Sequence, residues 1–357
     1  MIVMNLKLNR IYGFEDFEIS FTYPKKVVNS IIADEYLEGR ERFRYKKAVI
    51  LMGANATGKT SLGKALLKII TYINTGNLYD MVSGNKGSFS IDFVNEGFVL
   101  HRLTANINVI ASDVEIIYSS VKIEKMDSYE KCVAKLEDHT SEATATMNSL
   151  KKLVGPVSYR FAYPEIESSI LLDDIDRKVF LKTLRAVIGT LDPTLREVTI
   201  SRDLKDTFII KRNNAEIIIQ EGKLLNREIL SSGTAEGIDV ALFLASMLAK
   251  DKTFYYCDEH FSYIQSDIEK RIFGLMLDRI ANNEQLIFTT HNTDMLHSYM
   301  FLRKKVEDGE CRVSAISASE ILKRNTDNIR NAVENDVFGS LPDDSLLDEL
   351  EMGWADE

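Results

Sequence analysis

One stretch constrains this chain more than any other. Residues 51–60 read LMGANATGKT and set Gly53, Gly58, Lys59 and Thr60 in the spacing Gly-x-x-x-x-Gly-Lys-Thr. The run before the loop, Ala48 to Met52, is short and wholly apolar, as in a strand buried on both faces. After it, Leu62, Leu66, Ile69, Ile70 and Ile73 recur at helical spacing, and Gly76 stands where such a helix would stop. Strand, glycine-rich loop and helix in that order are the setting in which such a loop cradles phosphate. The glycines let backbone N–H groups close around phosphate oxygens. The lysine reaches the β and γ phosphates, and the threonine hydroxyl can ligate Mg²⁺. The helix adds the positive end of its dipole. Gly53, Asn55, Ala56, Thr57, Gly58, Lys59, Thr60 and Ser61 are therefore the expected nucleotide-binding residues.

The rest of the chain supplies what a phosphate loop needs around it. MIVMNLKLNR and FEDFEISFTY alternate in polarity, which predicts two early strands with one buried face. Residues 86 to 126 alternate again, and predict a small antiparallel sheet. From Ser128 to about Leu191 the pattern turns amphipathic and charged, which predicts a helical lid. Strand patterns return at REVTIS, TFIIKRN and AEIIIQEG. A helix from about Thr234 to Lys250, a strand at TFYYC, a helix from about Ser266 to Ala281 and a strand at QLIFT then alternate, which argues for α/β layering. The expected divisions are a first nucleotide-binding lobe over 1–125, the lid over 126–192, a second lobe over 193–334, and an acidic C-terminal segment over 335–357.

Three further motifs carry chemistry. TFYYCDE ends an apolar strand in Asp258 and Glu259. An acid at the carboxyl end of such a strand suits a Mg²⁺ ligand, so Asp258 joins Thr60 in the expected metal site. Glu259, pointing elsewhere, is suited to polarise a water for attack on the γ phosphate. In EILSSGTAEGID, Ser231 or Thr234 can cap the helix that follows. A Ser-x-Gly turn at a helix N-terminus is also a second anion site, so Ser231 and Gly233 are expected to complete the site of a facing subunit. QLIFTTHN places His291 just past another strand, where a neutral imidazole can link phosphate to the catalytic water.

These four pieces, in this order, resemble the ABC-type ATPase heads of the RecF, SMC and OLD group. LMGANATGKT stands at Walker A, LSSGT at the LSGGQ-like signature, YYCDE at Walker B with its catalytic glutamate, and TTHN at the switch histidine. IYGFEDFEISF resembles that group's opening strands. TLDPTLREVTI and NDVFGSLPD resemble segments of stand-alone AAA-type ATP-binding proteins from abortive-infection defence loci. The resemblance implies an α/β ABC-type P-loop head with N-terminal antiparallel strands, ATP and Mg²⁺ as ligands, and hydrolysis with Lys59, Glu259 and His291 as catalytic residues. It implies a head-to-head homodimer or higher homo-oligomer that controls a separate effector, a nuclease or toxin. Two departures stand out. Between Ser61 and Leu230 the only glutamine is Gln220, late for a glutamine loop. After TTHN there is no Asp-x-Asp cluster and no room for a Toprim domain, so no nuclease activity is expected in this chain. Long heptad runs of coiled-coil arms are missing too.

Composition narrows the roles. A net charge of −10 disfavours wholesale coating of nucleic acid. The basic run Arg40, Arg42, Arg44, Lys46 and Lys47 reads either as a solvated segment or as a local contact for DNA, RNA or an acidic partner. Tyr12, Phe14 and Phe17 read either as core or as a source of an adenine-stacking ring. Three scattered cysteines fit reduced thiols in a cytoplasmic protein. No signal peptide is recognised, and no apolar run approaches the roughly 18 residues that span a bilayer, so no membrane is expected as a partner. The readings that compete with a defence switch are a RecF-like DNA-binding repair clamp and a non-hydrolysing ATP-dependent scaffold.

Overall fold

The run Ala48–Met52 is a strand whose five side chains are all buried. In this computed structural model, which describes residues 1–23, 32–76, 81–146, 149–163, 175–195, 197–212, 215–220, 223–225, 227–250, 252–293, 295, 299–307, 310–322 and 329–341, it lies inside a six-stranded sheet. The strand order is Tyr159–Ala162, Phe254–Asp258, Gln285–Thr289, Ala48–Met52, Tyr299–Glu307 and Glu310–Ser317. The first five strands are parallel, and the last returns antiparallel. Their register pairs Asp258 with Thr289 and Thr289 with Leu51. The carboxyl ends of three strands from distant parts of the chain are thus level along one edge, which is where open α/β sheets bind ligands.

Alternate residues of the central strands face two different cores. Val49, Leu51 and Ile287 share one core with Leu62, Leu66 and Ile69 of the helix Lys59–Thr75 and with Val3, Leu6, Phe89 and Leu103 of a second sheet. That sheet is antiparallel, in the order Phe17–Ser20, Ile2–Asn9, Lys86–Val94, Val99–Asn108, Asp113–Lys122 and Glu137–Asp138. The phosphate-loop helix is therefore held between two sheets. It ends as expected, with Gly76 in the left-handed region at φ 74° and its N–H on Tyr72 O. Ile50, Phe288 and Tyr255 face the other core, formed with the helices Arg177–Leu191 and Ser232–Ala249 and the small sheet that begins at Glu197–Ile200.

Gln285, fully buried, joins the two large sheets. Val3 N donates to its Oε1 at 2.8 Å, and its Nε2 donates to Val3 O and Lys46 O, both at 3.1 Å. The register of the first strand shifts between Val3 and Asn5 at this point. The amide satisfies backbone groups that the irregularity would leave unpaired.

The stretch 126–192 is not helical throughout. Tyr129–Val133, Thr140–Thr144, Ser149–Val154 and Arg177–Leu191 are helices, but Tyr159–Ala162 is an edge strand of the central sheet, parallel to Phe254–Asp258. Four residues between charged segments are too few to show a period of two, and pairing with a buried neighbour decides their conformation. The hairpin Tyr299–Glu307 and Glu310–Ser317 is likewise an addition to the expected pattern. The helix Ser232–Ala249 does reach 18 residues with a mean hydropathy of 1.2, long and apolar enough to cross a membrane by length and composition alone; 72% of it is buried, as befits a core helix. Within 335–357, residues Asn335 to Leu341 dock against the body: Phe338 stacks on Phe301 with ring centroids 3.9 Å apart. The acidic tail from 342 on lies outside the described residues.

Candidate functional site

The loop after Met52 is built on unusual backbone. Gly58 sits at φ 97°, where an L side chain is strained, and a Cβ there would come 2.8 Å from Phe14 Cζ. Ala56 is also left-handed, at φ 61°. Thr57 fixes the turn by donating Oγ1 to Ala54 O at 2.8 Å. Asn55 and Ala56 are exposed at its crest. Ala54 N is not free for a ligand, because it donates to Ser340 O of the docked C-terminal turn at 3.0 Å. Phe14 and Phe17 are buried in the core with centroids 4.4 Å apart, which leaves Tyr12, half-buried, as the most accessible of the three N-terminal aromatics.

Beside the loop the structure gathers Lys59, Thr60, Asp258, Glu259 and His291. Lys59 Nζ donates to Gly53 O at 2.7 Å and lies 3.1 Å from Glu259 Oε1. His291 Nε2 lies 3.2 Å from the same Glu259 oxygen. Thr60 Oγ1 donates to Asp258 Oδ2 at 2.5 Å. Thr289 Oγ1 donates to Asp258 Oδ1 at 2.8 Å and accepts from Glu259 N at 2.9 Å, so one hydroxyl fixes both acids. Glu259 is left-handed at φ 48°, a conformation rare for a glutamate. The turn swings its side chain away from the strand and toward Lys59 and His291.

The two neighbouring acids have opposite electrostatics. Asp258 is 1% exposed, and burial pushes its carboxyl up against the opposing hydrogen bonds of Thr60 and Thr289. Glu259 is pulled down to about 2, first by the hydrogen bond from His291 and then, against the burial penalty, by the charge of Lys59. Next along the chain, His260 is buried and held down to about 4 by desolvation. A Thr60 hydroxyl and an Asp258 carboxylate in contact form the oxygen donor pair that suits Mg²⁺ held jointly with phosphates.

The signature turn stands apart from this cluster. Ser231 caps its own helix: its Oγ accepts from Thr234 N at 3.2 Å and shares a 2.8 Å hydrogen bond with Thr234 Oγ1. Ser231 and Ser232 are nevertheless exposed. Gly233 is required by close approach, since a Cβ there would meet Tyr263 O at 2.6 Å. Glu236, one turn on, accepts from Tyr263 N at 3.0 Å. The helix start is thus tied to the segment that follows Glu259.

Several residues at the site escape a sequence reading. Thr289 looks like one more strand residue until the register aligns it with Asp258. Tyr163 follows the unforeseen edge strand; its hydroxyl is buried, has no hydrogen-bond partner among the described residues, and packs beside Gly63 and Tyr256. Gln220 pairs with Thr207 in the small sheet and is not on the strand edge that carries the cluster. The basic run also changes meaning. Lys46 and Lys47 are 3% and 2% exposed, with Lys46 Nζ on Ser317 Oγ and Lys47 Nζ on Ala33 O and Asn282 Oδ1. Only the arginines of the run reach the surface, because the chain enters the central sheet at Lys46. Cys132 and Cys257 are free and buried.

The chain resembles solved SMC heads. A head bound to the C-winged helix domain of ScpA matches with a TM-score of 0.52 and 15% identity, covering 90% of this chain and 100% of that one. A head with an extended coiled coil bound to the C-terminal domain of ScpA, from Pyrococcus furiosus, matches with a TM-score of 0.51 and 12% identity over 90% of this chain and 98% of that one. No protein-family profile and no curated protein matches the sequence. The likeness shows that the chain shares the fold of SMC heads.

Proposed function

We propose that this chain is an ATP-binding and ATP-hydrolysing ABC-type switch that dimerises head to head. The observation that carries the reading is the convergence of Lys59, Thr60, Asp258, Glu259 and His291 on one sheet edge. Lys59 and the amides from Asn55 to Ser61 hold the phosphates of ATP, and the helix dipole adds to that attraction. Thr60 and Asp258 would hold Mg²⁺, which would offset phosphate charge. Glu259, ionised and aimed by Thr289, accepts a proton from the attacking water. His291 donates from Nε2 toward the transferred phosphate. Ser231 and Gly233 close on the γ phosphate of the facing subunit, so that binding favours the paired state and hydrolysis releases it. Purified protein should hydrolyse ATP in the presence of Mg²⁺ and pair on binding it. Lys59→Ala should weaken nucleotide binding, and normal affinity in that variant would overturn the reading.

The proposed biological role is control of a separate effector, a nuclease or toxin, in anti-phage defence. It is supported by the likeness of TLDPTLREVTI and NDVFGSLPD to segments of defence ATPases. Burial of Lys46 and Lys47 shrinks the basic surface that a DNA clamp would use. Cells carrying the gene with its neighbours should resist phage, and should lose resistance with Lys59→Ala. Equal plating of phage on both strains would sink the defence role while leaving the ATPase intact.

A further inference from the structure

The switch turn is strapped from behind by a carboxylate that no motif contains. Glu269 lies in the first turn of the helix Ser266–Leu277 and is 5% exposed. Its Oε1 accepts from Thr290 Oγ1 at 2.6 Å, and its Oε2 accepts from Asn292 Nδ2 at 2.8 Å. Thr290 and Asn292 are the residues on either side of His291. They are also joined to each other, since Asn292 N donates to Thr290 Oγ1 at 3.0 Å, and Asn292 Nδ2 reaches Ser266 Oγ at 2.8 Å. Each carboxylate oxygen thus grips one flank of a three-residue turn. The central residue is the half-exposed imidazole that reaches Glu259.

Burying a carboxylate is unfavourable unless both oxygens are satisfied, and here burial does push Glu269 upward against those two hydrogen bonds. The buried charge is spent on the two neighbours of one functional side chain. Unlike Glu259, His291 has little packing of its own to hold it, with 54% of its side chain exposed. Its direction therefore depends on the backbone turn that carries it. We infer that Glu269 is the positioning residue for His291, acting through Thr290 and Asn292 and touching neither nucleotide nor water. The inference rests on the ATPase reading for its kinetic consequence, but the geometry it describes is independent of turnover.

Glu269→Ala and Glu269→Gln separate positioning from mere support. A glutamine keeps an oxygen for Thr290, and Asn292 can turn its amide to accept from the new Nε2. Glu269→Gln should hold kcat within about fivefold of wild type, the scale of exchanging a charged for a neutral hydrogen bond. Glu269→Ala should lower kcat by about 10- to 100-fold, the scale of misplacing a catalytic group, with KM for ATP little changed. In a His291→Ala background the same Glu269→Ala change should add almost nothing. An equal loss in that background, or a loss confined to KM, would overturn the inference. Should Glu269→Ala not fold, Thr290→Val and Asn292→Ala each cut one strap and must show the same dependence on His291. The second arm needs no hydrolysis. In ¹⁵N-histidine spectra of the full chain, the His291 imidazole should keep its wild-type position in Glu269→Gln and move toward a free imidazole in Glu269→Ala. An unmoved signal would overturn the positioning role, whereas a wild type without turnover would sink only the ATPase reading.

Discussion

Lys59 Nζ and Glu259 Oε1 stand 3.1 Å apart, so the cation proposed to bind phosphate holds the carboxylate proposed to activate water. A carboxylate held at about 2 is a poor proton acceptor. Phosphate oxygens compete for the same ammonium, and when they take it Glu259 regains part of its basicity, while the His291 hydrogen bond that lowers it most remains. Binding and activation of the base are thereby one event. The first prediction is that Glu259→Gln does more than slow hydrolysis. It removes the rival for Lys59, so ATP should bind about fivefold tighter, the worth of roughly 1 kcal/mol from a partly exposed ion pair. Titration with ATP in the absence of turnover checks this, and weaker binding would contradict it.

Glu236 gives a second prediction, on pH. Burial raises its carboxyl to about 7, with the Tyr263 N–H opposing, Asp239 and Glu269 adding to the rise and Arg227 opposing it. A folded value raised above the unfolded one means the unfolded chain ionises first as pH climbs. The contribution of Glu236 to stability should therefore be fully present below about 4.5 and be lost between about 4.5 and 7. Glutamine can still accept from Tyr263 N but carries no charge. Glu236→Gln should flatten that part of the stability profile and gain about 1 to 2 kcal/mol at pH 8. Urea denaturation of both proteins at pH 5 and pH 8 measures the difference.

Legibility in the sequence followed the range of the interactions concerned. The loop, the helix that ends at Gly76, the strand carrying Asp258 and the strand that leads to His291 are local patterns of spacing and polarity, and each element is where the sequence predicts it. Tyr159–Ala162 owes its strand conformation to Phe254–Asp258, nearly a hundred positions on, and four residues carry no period of their own. Thr289 and Glu269 matter only through register and helix placement, which bring them against Asp258 and the His291 turn. Lys46 and Lys47 mislead for the converse reason: their charge says surface, while the strand they precede takes them inside.

The loop itself can be tested by adding one methyl group. Gly58→Ala would place a Cβ at φ 97° and 2.8 Å from a Phe14 ring that is locked in the core. Gly84 has a similar φ of 100° with nothing within 4 Å, so Gly84→Ala carries the backbone strain without the clash. Gly84→Ala should cost about 1 kcal/mol. Gly58→Ala should cost about 1 to 3 kcal/mol more, in the range of overpacked sites, and should impair ATP binding as well. Thermal melts of both variants with and without ATP separate the two effects. Equal melts would mean that Phe14 yields.

The turn at Ser231 offers the sharpest test of pairing, because its observed duty as a cap can be kept while its proposed role in a facing site is destroyed. As a cap, Ser231 supplies an oxygen to Thr234 N. Aspartate caps as well as serine does, and its charge favours a helix N-terminus. Ser231→Asp should therefore leave the melting temperature of the isolated protein unchanged or slightly raised. Facing the γ phosphate of a second subunit, however, the same carboxylate meets like charge where an anion should be welcomed. ATP-dependent dimerisation should be lost, while ATP binding to the single subunit stays near wild type. Ser231→Ala runs the other way on stability, losing about 1 kcal/mol of cap energy; it also loses the hydroxyl but adds no charge, so pairing should weaken without being abolished. Sedimentation of the three proteins with ATP decides it, and a Ser231→Asp protein that still pairs would remove Ser231 from the shared site.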